Sequence, residues 1–365
     1  MKKVVYISWT RADYWLLRNY LLELNNLKNI DLHIIVTWMH LSSQYGLTVQ
    51  NIIEDWLKIH KVYSNIDWDD LLAMTQSVGV WIIWISQKIS DLKPDLVIIE
   101  WDRYEALAWA ISASHQNIPI IHQWWWDIGS SIDNKIRFAI SALSDFHFVW
   151  NRQSYERLKN MGYENIFNFW EPWLDDIVLW KYTNYDKLKN KYNLNWKYVL
   201  FVFHPNTLEN KSLKNNLEWV IKAIKEISKK YEVKIIGSNS DAWWNFINNE
   251  LKNIKNTSFI NSVNREDFLW LLKNSYFMLW NSSAWIVEAP GLKKFVINIW
   301  TRQEWRLRWN NIIDVDYNFE NIIVGINLVE EKIEKNEEKY IDNPYYNWGF
   351  TKKAIEKTLD ILKNI

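Results

Sequence analysis

Short apolar runs alternate along the chain with longer amphipathic stretches. The runs typical of buried strands lie at residues 4–8, 33–36, 96–100, 119–122, 146–149, 198–203, 233–237, 277–279 and 295–299. The helical stretches between them include residues 16–27, 105–115, 213–230 and 265–273. Because strands that alternate with helices in this way form parallel sheets with crossover helices, the pattern predicts the α/β class.

The alternation stops at 178–195, a polar stretch rich in Tyr, Asn and Lys, and then resumes. We therefore predict two doubly wound domains, at 1–177 and 196–345, joined by a linker at 178–195. A tail helix is expected within 346–365. Ligands of such folds bind beyond the carboxyl ends of the strands, so two facing sheet edges would form the site.

Charge and composition narrow the classes of function. The 43 Lys and Arg residues balance the 43 Asp and Glu residues, which argues against a nucleic-acid partner. Without cysteine the chain has no disulfide or thiol nucleophile, and its seven His lack metal-ligand spacing. No apolar stretch approaches the ~18 residues of a membrane span, and the N-terminal run is too short for a signal peptide. We expect a cytoplasmic protein with no membrane partner.

Polar and chargeable residues follow the predicted strands in both domains. In the first domain they are Arg11, Asp102, Arg103, Asp127 and, at the start of the next helix, Asp133. In the second domain they are His204, Asn239, Ser282, Ser283 and Arg302. Every strand ends in a polar loop, but chargeable residues at so many strand ends favour an active site for an anionic ligand.

Each of these residues also has a structural interpretation. Ser282 and Ser283 precede a helix start, where hydroxyl and N–H groups bind phosphate, although a serine there can be a simple N-cap. Asp102 beside Arg103 suits a general base or a structural ion pair. His204 suits a proton donor, a phosphate ligand or a structural histidine. Arg302 can bind phosphate or be solvated.

Several motifs together resemble those of the UDP-N-acetylglucosamine 2-epimerases. They are Ser8-Trp9-Thr10-Arg11-Ala12-Asp13-Tyr14, Trp101-Asp102-Arg103, Asn281-Ser282-Ser283-Ala284-Trp285 and Trp300-Thr301-Arg302-Gln303. Residues 36–40 and 203–205 are similar to the hydrolysing branch, which makes N-acetylmannosamine for sialic acid or a related sugar for legionaminic-type acids. The resemblance spans about residues 2–350. It implies a GT-B-like fold, in which two doubly wound Rossmann-like domains hold a nucleotide sugar in the cleft between them.

The resemblance also assigns roles to residues. It implies that Ser282 and Ser283 bind the diphosphate of UDP, Glu288 the ribose hydroxyls, and Arg302 the same nucleotide. Arg11 and Arg103 would reach the phosphates from the first domain, and Asn239 and His204 match further binding positions. A homodimer is implied as well.

The implied reaction starts with loss of the C2 proton and anti elimination of UDP, which gives a glycal. Water then adds with inversion at C2. Asp102, Asp127 and Asp133 are the carboxylates at matching positions, and His204 would stabilise the leaving group. The route requires no metal or other cofactor. Many family members have His-x-Glu-Gly-Gly-Glu where residues 122–127 read His-Gln-Trp-Trp-Trp-Asp, so the first acid is absent.

Tryptophan stands where the family has glycine. The chain has 27 Trp and 8 Gly, whereas glycine at roughly 7% would give about 26 residues. The positions concerned are Trp9, Trp38, Trp101, Trp125, Trp126, Trp170, Trp173, Trp280, Trp285, Trp300, Trp305 and Trp309. We call this set the glycine-site tryptophans. Turns and phosphate loops need glycine for its positive φ or close backbone approach. Our hypothesis is that UGA codons read as glycine were translated as tryptophan; deliberate recoding is the rival.

Other functions stay open at this point. Within the enzymes they are a hydrolysing UDP-N,N'-diacetylbacillosamine 2-epimerase, a non-hydrolysing UDP-N-acetylglucosamine 2-epimerase and a GT-B glycosyltransferase. A sugar-binding protein would use tryptophan for stacking, but these tryptophans lie in loops after strands rather than in exposed grooves. If the tryptophans are real, an inactive variant is a further alternative.

Overall fold

Two parallel β-sheets, each flanked by helices, make up the computed structural model of the chain. It describes residues 1–43, 46–63, 71–124, 126, 132–178, 185–194, 197–203, 213–237, 244–261, 263–281, 284–299, 309–342 and 349–365. One compact unit comprises Met1–Asp175 with Asn347–Ile365, and the other comprises Asp176–Tyr346. Of the helices within the described ranges, none has the length and apolar character needed to cross a membrane.

The first unit contains a seven-stranded sheet. Its strands are β1 (Lys2–Ser8), β2 (Ile30–Thr37), β3 (Lys58–Val62), β4 (Leu96–Glu100), β5 (Ile120–Trp124), β6 (Phe146–Val149) and β7 (Ile166–Asn168). Its helices are α1 (Arg11–Asn25), α2 (Val49–Glu54), α3 (Leu71–Leu92), α4 (Tyr104–Ser114), α5 (Asp133–Ala142) and α6 (Arg152–Asn160), while α7 (Trp173–Val178) spans the boundary to the second unit. The sheet order is β3-β2-β1-β4-β5-β6-β7, with every pair parallel, so the winding reverses between β1 and β4.

The second unit repeats this plan with six strands. They are β8 (Tyr198–Val202), β9 (Glu232–Ile236), β10 (Thr257–Ile260), β11 (Met278–Trp280), β12 (Val296–Ile299) and β13 (Ile312–Val315). The helices are α8 (Tyr185–Tyr192), α9 (Leu213–Ile227), α10 (Trp244–Lys252), α11 (Arg265–Asn274), α12 (Ala284–Gly291) and α13 (Phe319–Glu334). All pairs are parallel in the order β10-β9-β8-β11-β12-β13, which reverses between β8 and β11. The predicted doubly wound α/β class is confirmed.

Burial explains which strands the sequence predicts. All five residues of β4, of β5 and of β8 are buried. Apolar residues make up all of β8, the first four positions of β4 and the first two of β5, so these central strands stand out in the sequence. The four strands absent from the prediction, β3, β7, β10 and β13, are the edges of the two sheets. Their residues are mostly half-buried, and polar side chains interrupt them, as in the Lys58–Val62 sequence KIHKV.

The C-terminal helix α14 (Phe350–Asn364) belongs to the first unit. It packs on α1, where the Tyr20 hydroxyl lies 2.6 Å from Thr358 Oγ1 and the Tyr20 ring meets Phe350 edge-on. The Asp175 carboxylate accepts the N–H groups of Gly349 and Thr351, each at 2.9 Å, and so satisfies the free donors at the start of this helix. The stretch 178–195, predicted as a linker, contains helix α8 and lies in the second unit.

Among the residues that the structure describes, four tryptophans have the left-handed backbone conformation that favours glycine. The φ angle is 41° at Trp38, 57° at Trp56, 79° at Trp101 and 67° at Trp170. Asparagine tolerates this region, whereas for a bulky residue it is an outlier that costs about 1–3 kcal/mol. Three of the four, all except Trp56, belong to the glycine-site tryptophans. The backbone of these positions therefore supports the hypothesis that glycine belongs there.

Candidate active site

The segments after β1 and β4 lie side by side at the point where the first sheet reverses its winding. These two strands are parallel neighbours, with Val4 opposite Leu96. The Arg103 guanidinium lies 5.0 Å from the centre of the Trp9 ring, which links the two segments directly. Arg11 begins α1 two residues after Trp9. The structure thus brings the predicted Arg11, Asp102 and Arg103 to one edge of the sheet, where ligands of such folds bind.

Asp102 is held by a buried arginine from α5. Arg137 donates to Asp102 Oδ2 through Nε at 3.1 Å and also through Nη2. Only 6% of Asp102 and 2% of Arg137 are exposed. Arg137 Nη1 donates to Asn134 Oδ1 at 3.0 Å, and the predicted Asp133 is the preceding residue and the first of α5. The guanidinium that holds Asp102 is therefore bound to the residue next to Asp133 in the chain.

Arg103 is partly exposed and oriented by its neighbours. Its Nε donates to Glu105 Oε2 at 3.4 Å, and its guanidinium also lies 5.4 Å from the centre of the Tyr104 ring. Burial raises the pKa of Glu105, and the charge of Arg103 opposes that rise. With 24% of its side chain exposed, Arg103 is a cation that a phosphate can reach at the sheet edge.

A buried network supports the segment that carries Arg11. Asp13 accepts the N–H groups of Trp9 at 2.9 Å and Thr10 at 3.1 Å, and it also accepts the Ser8 hydroxyl. Ser8 Oγ lies 2.8 Å from His40 Nε2. Burial raises the pKa of Asp13 to about 7 and lowers that of His40 to about 3. Asp13 is not among the predicted site residues, although the spacing of Thr10 and Asp13 is that of a helix-capping pair.

A second network connects the turn at Trp101 with α5. His122 is fully buried, and its Nε2 donates to the Trp101 carbonyl at 3.0 Å. Its Nδ1 lies 3.5 Å from Ser141 Oγ, which accepts the Trp126 indole N–H at 2.8 Å. Burial lowers the pKa of His122 to about 3, so the ring is neutral at physiological pH. Asp127, which follows Trp126 in the chain, lies outside the described residues.

Indole rings fill the carboxyl edge between these strands. Trp9, Trp38 and Trp101 each directly follow the last residue of a strand. The ring centre of Trp9 lies 5.5 Å from that of Trp38 in a stacked pair and 5.7 Å from that of Trp101 at right angles. Trp101 stacks in turn on Trp124 at 4.9 Å. The space that a ligand of this fold occupies beyond β1 and β4 is therefore taken by side chains that glycine lacks.

In the second unit, the described part of the site centres on Glu288 in α12. One carboxylate oxygen of Glu288 forms an ion pair with Arg265 of α11, and only 1% of the residue is exposed. Its Oε2 is buried and accepts no hydrogen bond from the described residues. A buried carboxylate oxygen of this kind suits a ligand hydroxyl, because it satisfies an acceptor that is otherwise unpaired.

The remaining predicted residues lie outside the described ranges. They are Asp127, His204, Asn239, Ser282, Ser283 and Arg302. His204 directly follows Phe203, just beyond β8, and Ser282 follows Asn281, just beyond β11. Since β8 and β11 are the neighbours between which the second sheet reverses its winding, both residues come after the strands from which this fold builds ligand sites.

Acid should destabilise the first unit through its buried histidines. His147 is 1% exposed and packs edge-on against the Tyr163 ring at 5.0 Å; burial lowers its pKa to about 4. In the unfolded chain this group takes up a proton below about pH 6.5, so the free energy of unfolding falls as the pH drops from 6.5 towards 4. Between pH 7 and pH 5, we expect the free energy of unfolding of the His147→Phe variant to fall by about 2 kcal/mol less than that of the parent protein.

Urea denaturation at the two pH values measures this difference. The control is His115→Phe, because His115 is exposed and its replacement should leave the pH dependence unchanged. If the free energy of unfolding falls equally in the His147 variant and in the parent protein, His147 does not cause the loss of stability in acid.

Comparison with known proteins agrees with the residues at the sheet edges. The profile of the UDP-N-acetylglucosamine 2-epimerase family matches residues 22–363. The "UDP-N,N'-diacetylbacillosamine 2-epimerase (hydrolyzing)" of Legionella pneumophila is 33% identical, and the alignment covers 100% of this chain and 96% of that protein. The "Polysialic acid biosynthesis protein P7" of Escherichia coli is 30% identical, with 100% and 95% covered. The chain belongs to the UDP-N-acetylglucosamine 2-epimerase family.

Solved structures place the fold in the GT-B-like class. The UDP-GlcNAc 2-epimerase of Neisseria meningitidis, bound to UDP-GlcNAc, has a TM-score of 0.82 at 19% identity, with 98% of this chain and 100% of that chain covered. The Methanocaldococcus jannaschii enzyme, in complex with UDP-GlcNAc and UDP, has a TM-score of 0.81 at 22% identity, with 99% and 100% covered. At these identities the likeness establishes the fold.

Proposed function

We propose that the protein is a hydrolysing 2-epimerase that converts UDP-N-acetylglucosamine, or a related UDP-2-acetamido sugar, and water into an N-acetylmannosamine-type sugar and UDP. The observation that carries the proposal is the buried Asp102 carboxylate, paired with Arg137 and followed in the chain by the partly exposed Arg103. A fixed base beside a cation is the arrangement that proton removal next to a leaving diphosphate requires. The full-length similarity to a relative named as hydrolysing supports it.

The proposed reaction has two halves. First, the C2–H bond breaks, its proton passes to Asp102, and its electron pair forms the C1–C2 double bond while the C1–O bond breaks and UDP departs. Water then adds across the glycal: its hydroxyl group bonds to C1 and a proton bonds to C2 with inversion. Asp127 and Asp133 are the proposed acid and base for this hydration, and His204 would stabilise the departing diphosphate.

Nucleotide-binding roles are proposed for residues of each unit. We propose that Ser282, Ser283 and Arg302 bind the diphosphate, that Glu288 binds the ribose, and that Arg11 and Arg103 contact the phosphates. Asn239 completes the proposed binding set. The Glu288 oxygen that accepts no hydrogen bond within the described ranges supports the ribose assignment, because a ribose hydroxyl would supply a donor.

Isotope exchange at C2 tests the proposal. The protein, with glycine at the twelve glycine-site tryptophans, is incubated in deuterated water with UDP-N-acetylglucosamine or with its 2,4-diacetamido-6-deoxy relative. We expect free sugar deuterated at C2 and an equal amount of UDP. A UDP-linked epimer would indicate a non-hydrolysing enzyme, and UDP release only with an acceptor would indicate a glycosyltransferase. If neither sugar gives UDP release or deuterium at C2, the proposal is excluded.

The second UDP sugar is a specific candidate for the natural substrate. The Legionella pneumophila relative, aligned over the whole chain, is named for UDP-N,N'-diacetylbacillosamine rather than for UDP-N-acetylglucosamine. The ratio of kcat/KM for the two sugars in the same assay decides between them. A ratio that favours UDP-N-acetylglucosamine would remove the bacillosamine alternative.

We further propose a homodimer that uses the exposed apolar face of α3. Residues 71–87 contain no charged side chain. Leu72, Ile83 and Trp84 on this helix are 64%, 65% and 53% exposed. An apolar surface of this kind marks an interface, because contact with a second copy removes it from water. A cytoplasmic location without nucleic-acid or membrane partners stays a prediction from the sequence.

Light scattering after size-exclusion chromatography tests the dimer. We expect Ile83→Glu to shift the molar mass from that of two chains to that of one, because a carboxylate is costly to bury in an apolar interface. The matched control is Gln153→Glu, at an exposed position of α6. A variant at Ile83 that stays dimeric would place the interface elsewhere.

A further inference from the structure

We infer that Arg137 is the positioning residue for Asp102, an inference that rests on the proposed function. Both nitrogens that Arg137 offers to Asp102, Nε and Nη2, donate to the same carboxylate oxygen, Oδ2. No hydrogen bond from the described residues reaches the other oxygen. The geometry therefore divides the carboxylate into a held oxygen, Oδ2, and an oxygen, Oδ1, that remains available to take the C2 proton.

Burial gives this contact its importance. Asp102 and Arg137 have 8% and 3% of their side chains exposed. A buried charge without a partner is costly, so a carboxylate in such surroundings needs a group of opposite charge beside it. The guanidinium group suits this task because it does not lose its proton and because its flat shape fixes the plane of the carboxylate.

Arg137 is itself fixed by its own helix. Nη1 donates to Asn134 Oδ1 at 3.0 Å, one turn earlier in α5. The Ser141 hydroxyl donates to the Arg137 carbonyl at 2.9 Å. His122 bonds the Trp101 carbonyl at 3.0 Å and lies 3.5 Å from Ser141 Oγ. Thus α5 holds the side chain of Asp102, and His122 of β5 holds the backbone of the turn before it.

This arrangement defines what Arg137 does in the reaction. When the C2–H bond breaks, the proton binds Oδ1, and the electron pair forms the C1–C2 double bond as UDP leaves. Oδ2 keeps its hydrogen bonds to Arg137 throughout, so the carboxyl group does not rotate as its charge changes. Arg137 acts through Asp102 and makes no contact with the substrate in this scheme.

Two substitutions of Arg137 test the inference in the glycine form of the protein. We expect Arg137→Gln to lower kcat about 100-fold, since misplacement of a base by about 1 Å costs that much. KM for the UDP sugar should change less than about 3-fold, since the nucleotide contacts remain. The acidic limb of the kcat/KM profile should move to higher pH, because the buried carboxylate loses its cation. Arg137→Lys should restore the position of that limb but only part of kcat.

Controls separate positioning from folding. Thermal unfolding and UDP binding establish that each variant is folded. If Arg137→Gln does not fold, Asn134→Ala, which removes the acceptor of Arg137 Nη1, should show a smaller change of the same kind in kcat and in the pH profile. A fall in kcat with an unmoved acidic limb in both variants would show a merely structural role and overturn the inference.

The inference and the proposed function fail in different ways. A parent protein that neither releases UDP nor labels C2 contradicts the proposed function. An active parent whose Asp102→Asn variant still exchanges the C2 proton shows that Asp102 is not the base, and this result overturns the inference about Arg137 as well. An active parent with an inactive Asp102→Asn variant, but with unaltered kinetics in both Arg137 variants, overturns the inference alone.

Discussion

Glycine at positions 9, 38 and 101 is expected to raise the stability of the protein and to turn a chain without activity into an active enzyme. Trp38 and Trp101 have φ angles of 41° and 79°, each of which costs about 1–3 kcal/mol for a bulky residue. The Trp9 ring stacks on Trp38 and meets Trp101 at right angles, and these three rings lie at the carboxyl edge of the sheet. Glycine at positions 38 and 101 relieves the backbone, and removal of all three rings opens the sheet edge where the sugar and diphosphate would bind.

The measurements are thermal unfolding, UDP binding by calorimetry and UDP release, for the chain as printed and for the triple glycine variant. Phe148→Gly is the control, because Phe148 is fully buried in β6 and has no positive φ. Loss of its ring should lower the free energy of unfolding by about 3–5 kcal/mol. Peptide mapping of the native protein by mass spectrometry should find glycine at these positions. Tryptophan at position 101 of the native protein would contradict the codon hypothesis.

Asp102→Asn in the glycine form should lower kcat about 1,000-fold, within the range of about 100 to 10,000 for loss of a general base. Asparagine has nearly the same shape, and its carbonyl oxygen can still accept from Arg137, which donates to Oδ2 in the parent. The fold and the affinity for UDP should therefore change little. Deuterium exchange at C2 should fall in parallel with UDP release, because both depend on removal of the same proton.

Asp145→Asn is the matched control for this prediction. Asp145 accepts the N–H of Ile120 at 2.9 Å and directly precedes β6, at the end of the sheet opposite the site. Its replacement should leave kcat and C2 exchange unchanged. An Asp102→Asn variant that keeps more than a tenth of the parent rate would assign proton removal to another group.

The sequence predicts strands where burial is complete on both faces. The central strands β1, β4, β5, β8 and β12 are apolar over most of their length, so composition alone reveals them. The edge strands have one covered side and mix Lys, His, Thr and Asp with apolar residues. Their identity depends on hydrogen bonds to a neighbour that is distant in the chain, which a local pattern does not contain.

The candidate site also has one part that the sequence predicts and another part that depends on tertiary packing. The position of Arg11, Asp102 and Arg103 after strands was predictable, because all parallel strands present their carboxyl ends at one edge. The partner of Asp102 was not, because Arg137 lies 35 residues further along the chain and contacts it only through tertiary packing. Likewise, Ser8, Asp13 and His40 form one buried network that becomes apparent only when β1 and β2 lie side by side.

The capping of α14 by Asp175 has a consequence for synthesis of the protein. The last strand of the first unit, β7, ends at residue 168. The helix that completes this unit, α14, comes much later in the chain, at residues 350–364. During translation the second unit, Asp176–Tyr346, is contiguous and is synthesised in full before α14. The unit encoded first is therefore the last to be completed, and until then Tyr20 lacks Thr358 and Phe350, its partners on α14.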